Sequence, residues 1–189
     1  MAYRLVPYKT QSYDGQQGEI ATDIMYENLM NKFKWGGMDE NKIYMDENNR
    51  RMCMNFRNNF SRLAGEYIRL GKKEKAVEVL DRCMDAIPEK NVPYNQFVIS
   101  IAELYYQAGE FEKANNIVRI LVDTYESDLT YFLSLKGKYR KYVEREEGLT
   151  KYILQQLIML TNDRYKESGL GEEMKERFDA INALLSTSR

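Results

Sequence analysis

Side-chain chemistry begins with nucleophiles, bases and metal ligands, and this chain of 189 residues is narrowly stocked with them. It carries 29 carboxylates, two cysteines (Cys53 and Cys83) and no histidine. Without histidine the chain can build no Ser-His-Asp or Cys-His nucleophile system, no HExxH zinc site and no histidine–carboxylate iron triad. Two thiols are too few for a zinc site or a disulfide framework. They read as buried, reduced cysteines. Cys83 is expected opposite Arg57, about one helical turn from Cys53, an offset that disfavours a disulfide. Paired carboxylates alone can hydrolyse a glycoside, but one of them must be an acid with a raised pKa in an apolar setting. No acid here has such neighbours in sequence, so no catalytic residue is expected.

The tetrad MDEN occurs twice, at 38 and at 45. A calcium loop would need the D-x-[DN]-x-[DN]-G spacing, and Tyr44 stands where its glycine belongs. Helix capping accounts for the second copy better. Asp46 can cap a helix, Glu47 sits in its electropositive first turn, and Arg50 and Arg51 can pair locally with these acids. Such exposed pairs contribute little. No metal and no cofactor are expected. Asn59-Phe60-Ser61 fits the glycosylation pattern but falls inside a predicted helix, where chance explains it.

The elements that must position any site are helical. Thr22-Asp23 starts a short helix with Met25, Leu29 and Phe33 on one face, stopped by Gly36-Gly37. Helices are predicted at about 50–70, 73–87, 95–108, 111–126, 129–145, 148–167 and 171–185. Leu149, Tyr152, Ile153, Leu157 and Leu160 read as one buried face, as do Met174, Phe178, Ile181 and Leu185 in the last helix. Gly137 falls inside a predicted helix, at a cost of about 1 kcal/mol relative to alanine. Residues 1–19, with Pro7 and DGQQG, read as irregular. No segment alternates long enough to suggest a strand. The class is all-α.

Bulk numbers agree with a folded module. The chain is 43% apolar and 30% charged, and its 28 bases nearly cancel its acids. Balanced charge argues against a nucleic-acid partner, and the 23 aromatics (15 Tyr, 7 Phe, 1 Trp) lie mostly at helical spacing, as core residues do. The longest aliphatic run, Leu157 to Leu160, is far short of the roughly 20 residues that cross a bilayer. No signal segment opens the chain. Its start, MAYRLVPYK, reads as a piece cut from something larger.

The strongest pattern is internal. LAGEYIRLGKKEKAVEVL, residues 63–80, returns as IAELYYQAGEFEKANNIV, residues 101–118, with six of eighteen positions identical at an offset of 38. Ala64 and Ala76 are small contacts between two antiparallel helices, Tyr67 a large knob, and Gly71 the turn. Ala102, Ala114, Tyr105 and Gly109 correspond to them. Paired helices that cannot bury their faces alone stack into repeats.

These positions resemble the tetratricopeptide repeat. Counting from Arg57, its key places fall on Phe60, Leu63, Ala64, Tyr67, Ala76, Leu80, Cys83 and Pro88. From Asn95 they fall on Val98, Ile101, Ala102, Tyr105, Ala114, Val118, Leu121 and Glu126, a looser match because Leu121 and Glu126 replace a small residue and the proline. The period of 38 exceeds the usual 34, and the extra residues fall at EKNVPYN. The resemblance implies a right-handed α-α superhelix of antiparallel hairpins. The expected organisation is an N-terminal arm (1–49), two repeats (50–127) and C-terminal capping helices (128–189), together one compact domain.

A second resemblance covers more of the chain. YRLVP, IMYENLMNKFKWGG, YMDENNRRM and the repeat region resemble the soluble C-terminal part of a bacterial family of polytopic membrane proteins. The membrane region of that family is similar to protein O-mannosyltransferases. It implies a non-catalytic tail, tethered at the bacterial inner membrane and held outside the cytoplasm, with any catalytic residues in the membrane part.

Repeats of this type bind through the inner faces of their first helices. Those positions are Asn58, Ser61, Gly65, Ile68 and Arg69 in the first copy, and Gln96, Ile99, Glu103, Tyr106 and Gln107 in the second. Their mix of amides, one tyrosine and both charges suits a protein or peptide segment, or the parent's own membrane domain. The alternative is that a C-terminal helix of the same chain fills the groove. Tyr44, Asp46, Glu47, Asn48, Arg50 and Arg51 form a possible docking arm. The expected function is a protein-interaction or scaffold domain; the alternative is an accessory domain that grips a glycan or polypeptide acceptor.

Overall fold

A computed structural model describes residues 19–187. Eight α-helices and no strand occur among the described residues: α1 (Thr22–Tyr26), α2 (Glu47–Arg69), α3 (Lys73–Ala86), α4 (Ile99–Ala108), α5 (Phe111–Ser134), α6 (Lys138–Tyr142), α7 (Glu144–Met159) and α8 (Gly171–Thr187). The all-α expectation holds. Contacts divide the chain into two compact units with the boundary between Pro93 and Tyr94. One 63–80 or 101–118 hairpin therefore lies in each unit. YRLVP, Pro7, DGQQG and the Leu185 side chain lie outside the described residues.

In the first unit α2 and α3 pack as an antiparallel hairpin, and α1 lies on α2. Asp46 caps α2 by accepting from the Asn49 backbone N–H at 2.8 Å. Gly71, at φ +73°, ends the helix: its N–H reaches the Ile68 carbonyl at 2.9 Å while the Lys72 N–H reaches that of Tyr67 at 2.8 Å. This pair of bonds is a Schellman closure, which needs a left-handed residue that glycine adopts without a Cβ clash. Phe60, Leu63, Ala64, Ala76, Val79 and Leu80 are fully buried between the helices. The core also holds a charge. Arg57 is 1% exposed, and its Nη2 donates to the Ile87 and Val92 carbonyls at 2.9 and 2.6 Å, satisfying backbone left over where α3 ends.

In the second unit α4 and α5 form the corresponding hairpin, with α7 on α5 and α8 on α7. Gly109, at φ +97°, closes α4 in the same way, with Gly109 N–H on the Tyr106 carbonyl at 3.0 Å and Glu110 N–H on that of Tyr105 at 2.9 Å. Arg177 on α8 reaches back to α5, where its Nη2 donates to Asp123 at 2.6 Å and its guanidinium also clasps Glu126. Arg119 and Glu173 add a second tie at 3.0 Å.

Three expectations need correction. The break placed between 126 and 129 does not exist, because α5 runs on to Ser134 with Leu129 only 1% exposed. The break comes instead at Gly137, whose φ of +60° lies in the region that glycine favours; the predicted 129–145 helix is thus split into the end of α5 and the short α6. Leu149 and Tyr152 do not belong to the buried face of α7. They are 48% and 57% exposed, while Ile153, Leu157 and Leu160 are buried. The first short helix also ends earlier than expected, at Lys32 after a π-helical turn from Glu27, ahead of Gly36.

Candidate functional site

The candidate binding positions of α2 and α4 lie in different units. In the first, Asn58 and Arg69 are exposed, Gly65 and Ile68 half-buried, and Ser61 buried with its hydroxyl donating to the Arg57 carbonyl at 3.0 Å. Arg69 forks onto Glu66, Nε to Oε2 at 2.9 Å and Nη2 to Oε1 at 2.6 Å. The fork fixes the guanidinium one turn before the closing glycine, so that α2 carries the exposed Asn58, the half-buried Ile68 and a fixed cation. Those groups can bind a polar peptide stretch with one apolar anchor.

The corresponding face of α4 is covered by the chain's own residues. Tyr106 is 3% exposed; its hydroxyl donates to Asn115 Oδ1 at 2.7 Å, and its ring stacks on Tyr165 with centroids 4.7 Å apart. Burial pushes the Tyr106 phenol up to about 12. Asn115 passes the bond on, its Nδ2 donating to the Ser168 carbonyl at 2.9 Å. Glu103 accepts from Arg164 Nη1 at 2.9 Å, and Gln107 hydrogen-bonds Tyr165. The segment from Arg164 to Ser168 thus lies over Glu103, Tyr106 and Gln107. Gln96 accepts weakly from the Tyr125 hydroxyl at 3.4 Å, and Ile99 is half-buried. Of the five positions, only Gln107 is exposed.

The six arm residues sit at the start of α2. Glu47 and Arg51 pair at 2.9 Å with both side chains exposed, Tyr44 is 92% exposed, and Asn48 and Arg50 are exposed. The loop before them is held by a residue that the sequence reading passed over. Asn91 is 5% exposed; its Nδ2 donates to the Met38 and Asn41 carbonyls at 2.6 and 2.7 Å, and its Oδ1 accepts from the Ile43 N–H at 2.8 Å. Lys90 adds two bonds, to the Asp39 and Glu40 carbonyls at 3.0 Å each. The first MDEN is therefore a loop seated on the turn after α3. The available signal was the EKN of the longer-than-usual repeat period.

Other chemistry-bearing groups are structural. Cys53 and Cys83 are free, buried thiols, and burial pushes Cys83 up to about 12 against the pull of Arg57, far from the thiolate a nucleophile requires. Among the described residues no group of three or more Cys, Asp or Glu side chains is gathered as a metal site would need. A crevice lined by Val122, Leu154, Met174 and Phe178 leaves a cavity of only about 10 Å³, far below the roughly 300 Å³ at which ligand pockets begin. Asn59 is buried within α2, so the glycosylation pattern there is not presented to a modifying enzyme. No helix among the described residues is long and apolar enough to cross a membrane. No protein-family model matches this chain, and no curated protein or solved structure is significantly similar to it.

Proposed function

We propose that this chain is a non-catalytic protein-interaction domain built from tetratricopeptide-like hairpins, and that it is the extracytoplasmic tail of a glycosyltransferase-like bacterial membrane protein. The observation that carries the first half is the recurrence of one turn at an offset of 38. Gly71 and Gly109 make the same pair of closing bonds, and the lysines that follow, Lys75 and Lys113, each stand 5.7 Å from the ring of Tyr67 or Tyr105. In repeats of this kind the turn and the small contacts are held constant while the inner face varies with the partner. The second half is supported by the likeness of IMYENLMNKFKWGG and YMDENNRRM to the soluble part of that membrane family.

The partner is a protein segment bound along Asn58, Ile68 and Arg69, with the Tyr44–Arg51 arm beside it in sequence as a second contact. In the other unit the Tyr106 ring is 3% exposed and stacked under Tyr165, so that tyrosine is not presented to a sugar ring. Capture from a detergent-solubilised envelope extract tests the reading, with the whole chain as bait beside a variant carrying N58A, I68A and R69A. A protein held by the wild type and lost by the variant supports it. Equal retention by both removes the α2 face from the proposal and leaves the arm.

A further inference from the structure

Between α5 and α7 the chain carries a feature that neither hairpin uses. Residues 135–143 hold Lys136, Lys138, Arg140 and Lys141 and no acid, in a chain whose net charge is −1. In α6 these side chains divide by direction. Arg140 is half-buried, with Nη2 3.5 Å from Glu147 Oε1, a carboxylate whose side chain is 9% exposed and which Lys151 also pairs. Lys138 and Lys141 are exposed, Lys136 is exposed just before the helix, and Tyr139 and Tyr142 are 60% and 78% exposed. At about 3.6 residues per turn, Lys141, Lys138, Tyr142 and Tyr139 share the arc opposite Arg140. A half-buried ion pair thus ties this short helix to α7 and leaves two lysines and two tyrosines outward.

The outward arc of α7, a helix that packs against α6, carries apolar side chains with Arg145 and the half-buried Gln156 among them. Leu149, Tyr152 and Met159 are 48%, 57% and 49% exposed, and their spacing of three and seven places them on one helical face. No acid occurs between Glu147 and Asp163. Exposed leucine and methionine on a helix, flanked by lysines and tyrosines, match the chemistry of a lipid headgroup layer. Tyrosine rings rest at that depth with the hydroxyl in water, lysines meet the phosphates, and aliphatic side chains reach the acyl boundary.

We propose that α6 and the outward face of α7 form a surface that docks on an anionic lipid headgroup layer. Rings as exposed as Tyr139 and Tyr142 line no cleft of the sort a peptide or a single strand occupies. Leu149 and Met159 likewise give a nucleobase nothing to stack on. The contact is peripheral and independent of the peptide-binding role of α2.

Vesicle flotation of the whole chain tests it, with phosphatidylcholine vesicles beside vesicles of phosphatidylcholine and phosphatidylglycerol in equal parts. The chain should float with the anionic vesicles alone and come off as salt is added. Changing Lys136, Lys138 and Lys141 together to glutamine should weaken partition roughly a hundredfold. L149S with Y152S should weaken it while leaving the salt dependence in place. All five side chains are exposed, so melting curves should stay where they are, separating lost docking from lost folding. Equal partition into both vesicle types, binding to neither, an unaffected triple-lysine variant, or displacement from the vesicles by a single-stranded oligonucleotide would each overturn the proposal.

Discussion

The two hairpins are alike inside and unlike outside. Each closes its first helix on a glycine with the same two backbone bonds, sets a lysine over the same tyrosine, and seats an alanine at the start of its second helix. Ala76 and Ala114 each bond back to the residue after the glycine at 3.1 Å. What covers each hairpin differs. Tyr67 meets Tyr26 of α1 edge-on at 6.2 Å, and the Tyr26 hydroxyl donates to Glu78 at 2.7 Å, whereas Tyr106 meets Tyr165 from the far end of the chain. Of the six repeated residues the two alanines and the tyrosine are buried and the glycine closes the turn, while Glu74 and Lys75 with their counterparts Glu112 and Lys113 are exposed. Among the twelve that differ, Leu63, Val79 and Leu80 only exchange one aliphatic core residue for another, whereas Ile68 and Arg69 become Tyr106 and Gln107, where the coverage differs.

The largest effect should come from the shared interior. Tyr67→Ala and Tyr105→Ala should each cost about 3–5 kcal/mol in urea unfolding, like other buried aromatic truncations. Similar losses at both positions would sustain the likeness, and a large loss at one alone would break it. Asn91→Ala should cost about 1–3 kcal/mol, because three backbone groups of the 38–43 loop lose a buried partner. Hydrogen exchange should then rise at Ile43, with the α4–α5 hairpin unchanged. Gly71→Ala and Gly109→Ala should cost about 1–2 kcal/mol each from left-handed strain alone, since an added Cβ would meet nothing within 4 Å at either site. Unequal melting shifts would show that the two turns are not equivalent.

The smallest effect concerns pH and belongs to the second unit. Burial alone would raise the Glu147 carboxyl, but Lys151 and Arg140 outweigh it and hold it below the ordinary value of 4.5. A carboxylate depressed on folding stabilises above its unfolded pKa, and that contribution is lost as pH falls through the folded value. The α6 anchor should therefore loosen below pH 4.5, and Glu147→Gln should remove that part of the acid sensitivity in melting curves recorded from neutral pH downward. An acid profile unchanged by the substitution would place the sensitivity elsewhere.

Much of the fold was legible because its punctuation is local. Gly71, Gly109 and Pro88 end elements by their own backbone preferences, and the helix ends beside them fall within one residue of expectation. The failures occur where the deciding partner is distant. Glu126, Ser127 and Asp128 look like a break, but Arg177, some fifty residues on, engages Glu126 and α5 runs through. In α7 apolar residues lie on two sides, and periodicity cannot tell which side meets α5. Coverage of the α4 face by the C-terminal part of the chain was one of the two readings, by a helix; nothing in the sequence marks Arg164 and Tyr165 as the residues that fold back. Asn91 was hidden in what looked like slack.

That slack has a consequence for redesign. Trimming the spacer after Pro88 until the repeat matched the common 34-residue spacing would improve the resemblance on paper. It would also delete the one amide that acts as a rung for the loop at Met38 to Ile43, so the tidier sequence would specify a hairpin with its N-terminal arm unlatched.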